Sequence, residues 1–287
     1  MYLALATDDG MRSYAAATTH LVEEARQRHG TTPTATVALG RALTAAALMS
    51  GLLKVGQRVA LKWEGTGPLR KIVVEADAKG RVRGYVAEPE VDLPLADGDY
   101  DVPGAIGRAG LLTVVRDLLL AELAEGTVHL ATSDVSGDLT FFLEQSDQVP
   151  SALEVGVSLN PDGSVAVAGG ILIQPLPPYE PDVLVGMKER LQEMPPVTAM
   201  LAEGQKPEAI LDQLFLGLSH KLLSKYPLRF ECDCSRERTE SALVALGREE
   251  LQALLDNEGE AVVTCQFCRT EYVFNGEELA ALIAAMA

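Results

Sequence analysis

The chain has 287 residues, of which 47% are hydrophobic and 23% are charged, and its net charge is −17. This length and balance are typical of a globular protein with one large core and room for a second, smaller unit. The strong negative charge argues against partners such as nucleic acid or an anionic membrane surface, because both carry charge of the same sign.

The apolar stretches of the chain are short. The first ten residues, MYLALATDDG, have no basic start and contain two acids, so they are unlike a signal peptide. The longest apolar stretch, residues 43–53, is too short to span a bilayer and is better interpreted as a buried, alanine-rich helix. We therefore expect a cytoplasmic protein whose thiols stay reduced.

The first half predicts mixed helix and strand. Thr32 and Pro33 are suited to begin a helix, and Leu39, Leu43 and Leu48 follow at helical spacing. Later come several runs that favour antiparallel strands, and one run that is ambiguous between strand and helix. The strand-like runs are 58–89, 111–115, 127–130 and the hairpin 155–170, and residues 118–125 favour helix by propensity.

Four prolines lie between residues 175 and 181, and proline at that density continues neither a strand nor a helix. We therefore place a domain boundary there. Beyond it, apolar residues at helical spacing predict an amphipathic helical linker over residues 179–231. The apolar residues that carry this pattern are Leu184, Met187, Leu191, Met194, Leu211, Leu214, Phe215 and Leu218. The predicted class is α+β: an N-terminal domain (1–178) with an antiparallel sheet, this linker, and a small C-terminal domain (232–287).

All four cysteines of the chain lie in its last 56 residues, as Cys232-x-Cys234 and Cys265-x-x-Cys268. Tetrahedral zinc takes four soft ligands, and two tight pairs supply them when the fold brings two loops together. We therefore predict one Zn²⁺ in the reduced protein, held by these four thiolates. The module has few large apolar residues, so without metal it should be marginally stable or unfolded.

Three interpretations of the pairs stay open on spacing alone: a purely structural zinc ribbon, buried core cysteines, and a redox switch. A disulfide within Cys-x-Cys would close a small, strained ring, which makes it labile and favours the switch. Residues 232–287 contain 11 acidic and 4 basic residues, which disfavours a zinc ribbon that binds nucleic acid.

The chain resembles the 33-kDa heat-shock protein family, the redox-regulated holdase chaperones of bacteria. The most specific segments are CDCSRER and VTCQFCRTEYVF, and ALGRALTAAALM, RGYV, GLLTVVRD and AGGILIQPLP also resemble family segments in the family order. Asp147, in EQSDQVPSAL, is a mild departure, since the family more often has Ser-Glu-Gln there. The resemblance covers nearly the whole chain.

The resemblance implies a functional cycle. Reduced and zinc-bound members are largely inactive. Oxidation forms two disulfides, which here would be Cys232–Cys234 and Cys265–Cys268, and zinc leaves. The zinc domain and linker then unfold, the protein forms a homodimer, and it holds unfolding client proteins without ATP. The resemblance thereby makes the apolar linker residues from Leu184 to Leu218 named above the candidates for binding client proteins.

Two alternatives belong to other functional classes. The pair Cys265 and Cys268 could serve a thiol-disulfide oxidoreductase, although the thioredoxin-like βαβ context is missing from the sequence. A zinc-ribbon adaptor would instead bind a partner protein in the reduced state without responding to oxidants. The four histidines are scattered and no catalytic triad is evident, so we expect no enzyme.

Overall fold

The computed structural model describes residues 2–8, 10–177 and 181–286. Its strands, in chain order, are β1 (Tyr2–Asp8), β2 (Met11–Ala17), β3 (Arg58–Gly65), β4 (Lys71–Asp77), β5 (Arg81–Val86), β6 (Gly110–Asp117), β7 (Ala124–His129), β8 (Ala152–Leu159), β9 (Val165–Pro175), β10 (Lys221–Pro227), β11 (Arg229–Phe230), β12 (Glu260–Thr264) and β13 (Glu271–Asn275). Its helices are α1 (Thr19–His29), α2 (Pro33–Ser50), α3 (Val102–Ile106), α4 (Val135–Gln145), α5 (Pro181–Glu193), α6 (Val197–Ala202), α7 (Pro207–Leu214), α8 (Arg236–Leu246), α9 (Arg248–Asn257) and α10 (Gly276–Ala285).

The chain divides into two compact units, Met1–Glu231 and Cys232–Ala287. The first unit contains a five-stranded sheet of order β10-β1-β2-β9-β8 and a six-stranded sheet of order β11-β5-β4-β3-β6-β7. Neighbouring strands are antiparallel except β11, which runs parallel to β5. The second unit has the hairpin β12-β13 and three helices. The mixed helices and antiparallel sheets confirm the predicted α+β class.

Helix α2 lies at the centre of the first unit, against strands of both sheets. Between residues 34 and 50 only Arg41 is not buried, which its alanine-rich sequence allows because small side chains permit close approach. A Cβ at Gly40 would lie 2.5 Å from a methyl carbon of Val22 and 2.8 Å from one of Val157, so a larger residue here would displace these side chains. Thr32 precedes the helix as predicted, but its hydroxyl donates to the carbonyl oxygens of Pro89 and Val91 rather than capping the helix.

Two secondary-structure predictions were wrong. Residues 118–123 form the connection between β6 and β7, not a helix, because Arg116 pairs with Ala124 and cross-strand pairing overrides helix propensity. The predicted helical linker is helical only to Leu214. Residues 221–227 form β10 at the edge of the five-stranded sheet, and 229–230 form β11. The predicted boundary at residue 178 lies outside the described residues.

Strand β9 is buried on both faces of the five-stranded sheet. Ile171 and Ile173 belong to a cluster with residues of α5, α6 and α7. On the opposite face, a Cβ at Gly170 would lie 3.1 Å from Leu48 of α2. Because side chains alternate along a strand, one face of β9 packs against α2 and the other faces α5, α6 and α7.

Candidate metal centre

Two short loops of the second unit carry the four cysteines. Cys232 and Cys234 lie between β11 and α8, and Ser235 ends that loop by accepting a hydrogen bond from the Arg238 amide as the N-cap of α8. Cys265 and Cys268 lie in the turn of the β12-β13 hairpin. The Cys265 amide donates to the Thr270 carbonyl at 2.9 Å, and this closes the turn.

The loops bring the four sulfur atoms into one cluster. All four Sγ atoms lie within 4.8 Å of one another, and none is in a disulfide. The Cys232 and Cys265 sulfurs are 3.8 Å apart, and the Cys234 and Cys268 sulfurs 3.4 Å. Four sulfurs at about 2.3 Å from a tetrahedral zinc ion would be roughly 3.8 Å apart, so this donor set fits zinc in number, type and spacing.

Hydrogen-bonding groups of the hairpin surround the sulfurs. The Tyr272 hydroxyl donates to the Cys234 sulfur at 3.2 Å, and the Cys268 thiol donates to the Thr270 hydroxyl oxygen, also at 3.2 Å. The backbone amides of Phe267 and Cys268 donate to the Cys265 sulfur. Amide and hydroxyl donors of this kind orient metal-bound thiolates and share their negative charge.

The environment separates the thiols in acidity. Burial raises the pKa of Cys234 to about 12 and also raises the pKa of Cys265. Burial acts the same way on Cys268, but hydrogen bonds from Thr270 and from the neighbouring thiols outweigh it and lower its pKa to about 7. Of these three thiols, Cys268 therefore gives up its proton most readily. Four thiolates together need a cation to balance their charge.

The apolar core beneath the cysteine loops is small. Its buried members come from α8, α9, β12, β13 and α10: Leu243, Leu251, Ala261, Phe274, Leu279 and Ile283. The Arg236 guanidinium lies 4.2 Å from the Phe274 ring centroid and also bonds Glu278 and the Val273 carbonyl. A core of six buried side chains is marginal for independent folding, which is the situation in which metal ligation contributes most to stability.

The candidate client-binding residues are mostly buried within the first unit. They join β2 and β9 residues in one cluster, whose linker members include Leu184, Met187, Leu191, Leu211, Leu214 and Phe215. Met194 packs against this cluster while partly exposed, and Leu218, beyond the end of α7, is 37% exposed.

Polar contacts, which the sequence did not predict, fasten the same helices. Arg190 of α5 donates to the carbonyl oxygens of Leu214 and Leu216 at 2.7 and 2.8 Å. Glu154 of β8 accepts from the Val197 amide at the start of α6. Single long-range pairs of this kind leave no periodic pattern in a sequence.

The sequence analysis also did not identify Tyr272 as a residue of the site. The strand predicted after Cys268 was a signal for it, because alternate residues of that strand lie on the side of the cysteines.

Comparison with known proteins decides the family. A family profile described as Hsp33 protein matches residues 1–275. This chain belongs to the Hsp33 family. It is 52% identical to the 33 kDa chaperonin of Geobacter sulfurreducens, over 95% of this chain and 90% of that protein, and 41% identical to the Bacillus subtilis 33 kDa chaperonin, over 97% and 96%. The family predicted from the cysteine motifs is thereby confirmed.

The fold of this Hsp33 member is also similar to a solved one. The crystal structure of the 33 kDa chaperonin (heat shock protein 33 homolog) from Thermotoga maritima matches with a TM-score of 0.92 at 34% identity, covering 99% of this chain and 98% of that one. Among the described residues, no helix is both long and apolar enough to cross a membrane.

Proposed function

We propose that this Hsp33 member is a redox-regulated, ATP-independent holdase chaperone, not an enzyme, which binds unfolding proteins after its four cysteines are oxidised. Family membership supports a chaperone function, since the relatives are named 33 kDa chaperonin. The observation that carries the redox part is the convergence of four cysteine sulfurs, none of them in a disulfide, within 4.8 Å in a unit with a small core.

In the reduced state, Cys232, Cys234, Cys265 and Cys268 would hold one zinc ion. The bound ion would supply a positive charge that balances the thiolates and joins the two loops. Metal binding contributes on the order of 10 kcal/mol or more to the folding of small zinc modules. Loss of the four thiolates as ligands is therefore enough to unfold residues 232–287.

Oxidation would convert the thiols pairwise into disulfides. For each pair, two zinc-bound thiolates give two electrons to one molecule of hypochlorous acid and one proton is taken up. A sulfur–sulfur bond forms, water and chloride are released, and oxidation of both pairs frees the zinc ion. We propose the pairs Cys232–Cys234 and Cys265–Cys268. This pairing rests on the family resemblance, because contacts at 3.8 and 3.4 Å also join sulfurs of different loops.

The apolar surface that holds a client would come from residues 179–231, which we propose as the linker. Strand β11, the last element of the first unit, ends at Phe230, two residues before Cys232. Unfolding that begins at the cysteines thus reaches the linker along the chain. Release of α5–α7 would uncover the side chains buried beneath them, and large apolar surfaces bind non-native chains.

The strong negative charge of the chain would keep complexes with clients soluble. Oxidised molecules that expose the apolar surface would associate with each other as homodimers.

A light-scattering assay tests the proposal. A heat-unfolding client protein is mixed with the reduced, zinc-loaded chain or with the chain oxidised by hypochlorous acid. Suppression of scattering by the oxidised form alone is the expected result. Equal suppression by both forms would refute the switch and leave a constitutive holdase, and suppression by neither would refute the holdase. Peptide mapping of the oxidised chain checks the disulfide pairing.

The alternatives predict other results. A thiol-disulfide oxidoreductase would turn over small disulfide substrates, but Cys265 and Cys268 lie in the turn of a β-hairpin, not at the start of a helix where thioredoxin-like cysteines are activated. A zinc-ribbon adaptor would bind its partner when reduced and would not respond to oxidant.

A further inference from the structure

Two hydroxyl groups meet the sulfur cluster at one corner. Tyr272 lies in β13, and Thr270 lies two positions earlier, in the turn that precedes this strand. The Tyr272 hydroxyl is 3.2 Å from the Cys234 sulfur, and the Thr270 hydroxyl is 3.2 Å from the Cys268 sulfur. These two sulfurs, one from each cysteine pair, are 3.4 Å apart.

The Tyr272 contact crosses between the two cysteine loops. Thr270 belongs to the same hairpin turn as Cys268, and the Cys265 sulfur accepts from amides of that turn. Tyr272, in contrast, belongs to the hairpin but donates to Cys234 of the other loop. Its hydroxyl therefore both fixes the position of the Cys-x-Cys loop and places a hydrogen-bond donor on one of its sulfurs.

We propose that Tyr272 is a positioning residue that sets how readily the Cys234 sulfur reacts with an oxidant and keeps its metal. Thr270 accepts from the Cys268 thiol. Once Cys268 is a metal-bound thiolate without a proton, the Thr270 hydroxyl would donate to it and act in the same way. This inference rests on the proposed metal-binding thiolates. A hydroxyl that donates to a thiolate draws electron density from the sulfur. The sulfur is then a weaker nucleophile towards an electrophilic oxidant and competes less strongly for a proton.

The two hydroxyl groups would also disperse the negative charge of the sulfur cluster. Four thiolates around one divalent cation leave two negative charges in a unit that already carries 11 acidic against 4 basic residues. Donors directed at the sulfurs disperse that charge. Without the Tyr272 hydroxyl, the charge on Cys234 is less dispersed, so oxidation should be faster and the metal should be held less tightly.

The test uses the full chain with Tyr272→Phe, which keeps the ring and removes only the hydroxyl. Thr270→Val removes the second hydroxyl, and Thr270→Ser restores it without the methyl group. The control is Thr239→Val, because the Thr239 hydroxyl lies in the same unit but donates to the Ser235 carbonyl at 2.9 Å. Circular dichroism of each metal-loaded variant checks folding.

Three measurements read out the sulfurs rather than chaperone activity. In the cobalt-substituted protein, the sulfur-to-metal charge-transfer band of Tyr272→Phe should move to longer wavelength, because the thiolate becomes a stronger donor. Zinc affinity, from competition with a chromogenic chelator, should fall about 10-fold. Zinc release from Tyr272→Phe on addition of hypochlorous acid should be several-fold faster than from the wild type or from Thr239→Val, because the Cys234 sulfur has lost its hydrogen-bond donor.

A charge-transfer band, affinity and release rate unchanged in Tyr272→Phe would overturn the proposal for that residue. If this variant does not fold, the proposal stands or falls on Thr270→Val, which should show the same three changes while Thr270→Ser restores wild-type values. Failure of oxidised wild-type protein to suppress client aggregation would refute the proposed function, but it would leave these spectroscopic and kinetic results unaffected.

Discussion

Substitution of Phe215 by alanine should release the linker helices without any oxidant. The side chain is fully buried in the cluster beneath α5, α6 and α7, and its ring stacks on His220 with centroids 5.2 Å apart. Truncation of a buried phenylalanine to alanine costs about 3–5 kcal/mol. A loss of about 3 kcal/mol from docking of the linker raises the undocked population roughly 100-fold. The reduced, zinc-loaded variant should therefore suppress scattering from a heat-unfolding client.

The matched control is Phe142→Ala. Phe142 is equally buried in the first unit, but its ring lies beside Gly126 and 5.7 Å from the Arg116 guanidinium carbon. Both variants should lose a similar amount of stability in denaturant unfolding, yet only Phe215→Ala should be active when reduced. Hydrogen exchange should show faster opening of α5–α7 in that variant. Equal activity of the two reduced variants, or activity in neither, would refute the reasoning that linker docking is what masks the client-binding surface.

Three further predictions concern stability. Removal of zinc by a chelator should abolish the helical signal of residues 232–287 while amide protection in α2 persists; retention of both signals would contradict metal-dependent folding of the second unit. Asn275→Ala breaks the capping box with Glu278 at the start of α10 and should cost that unit about 1 kcal/mol, seen as a lower chelator concentration at half-unfolding. Hydrogen bonds to Glu23, chiefly from Arg26, lower its pKa to about 2, below its unfolded value, so its stabilisation is complete above pH 4.5 and is lost as pH falls towards 2. Because solvent screens the pair, Glu23→Gln should cost about 1 kcal/mol at pH 7 and nothing near pH 2, measured by denaturant unfolding.

Local patterns were enough to predict the class of fold and much of the candidate site. The hairpin over residues 155–170, the helix that begins at Pro33 and the strand after Cys268 all follow from alternation, caps and turn residues. The cysteine spacing alone indicated that two loops would converge. Each of these signals is contained within a short stretch of chain, where sequence and structure are directly related.

The remaining features depend on partners that are distant in the sequence. Residues 221–227 form a strand because β1, more than 200 residues earlier, offers a free edge for pairing. The run 118–125 has helical propensity, but pairing of Arg116 with Ala124 decides its structure. The contact of Tyr272 with Cys234 joins residues 38 positions apart. Tertiary pairing of this kind leaves no periodic signal that propensity could detect.

The double-sided burial of β9 has a consequence for what a client protein would meet. If α5–α7 detach, their own apolar faces and the sheet surface of Met11, Ala15, Ile171 and Ile173 become exposed in the same event. The helices would then be free to adapt their shape, whereas the sheet is still braced from behind by α2. Undocking would thus expose two apolar surfaces to a client: the flexible faces of α5–α7 and the rigid surface of the sheet. The sheet surface would also be the preformed site on which the helices dock again after the client dissociates.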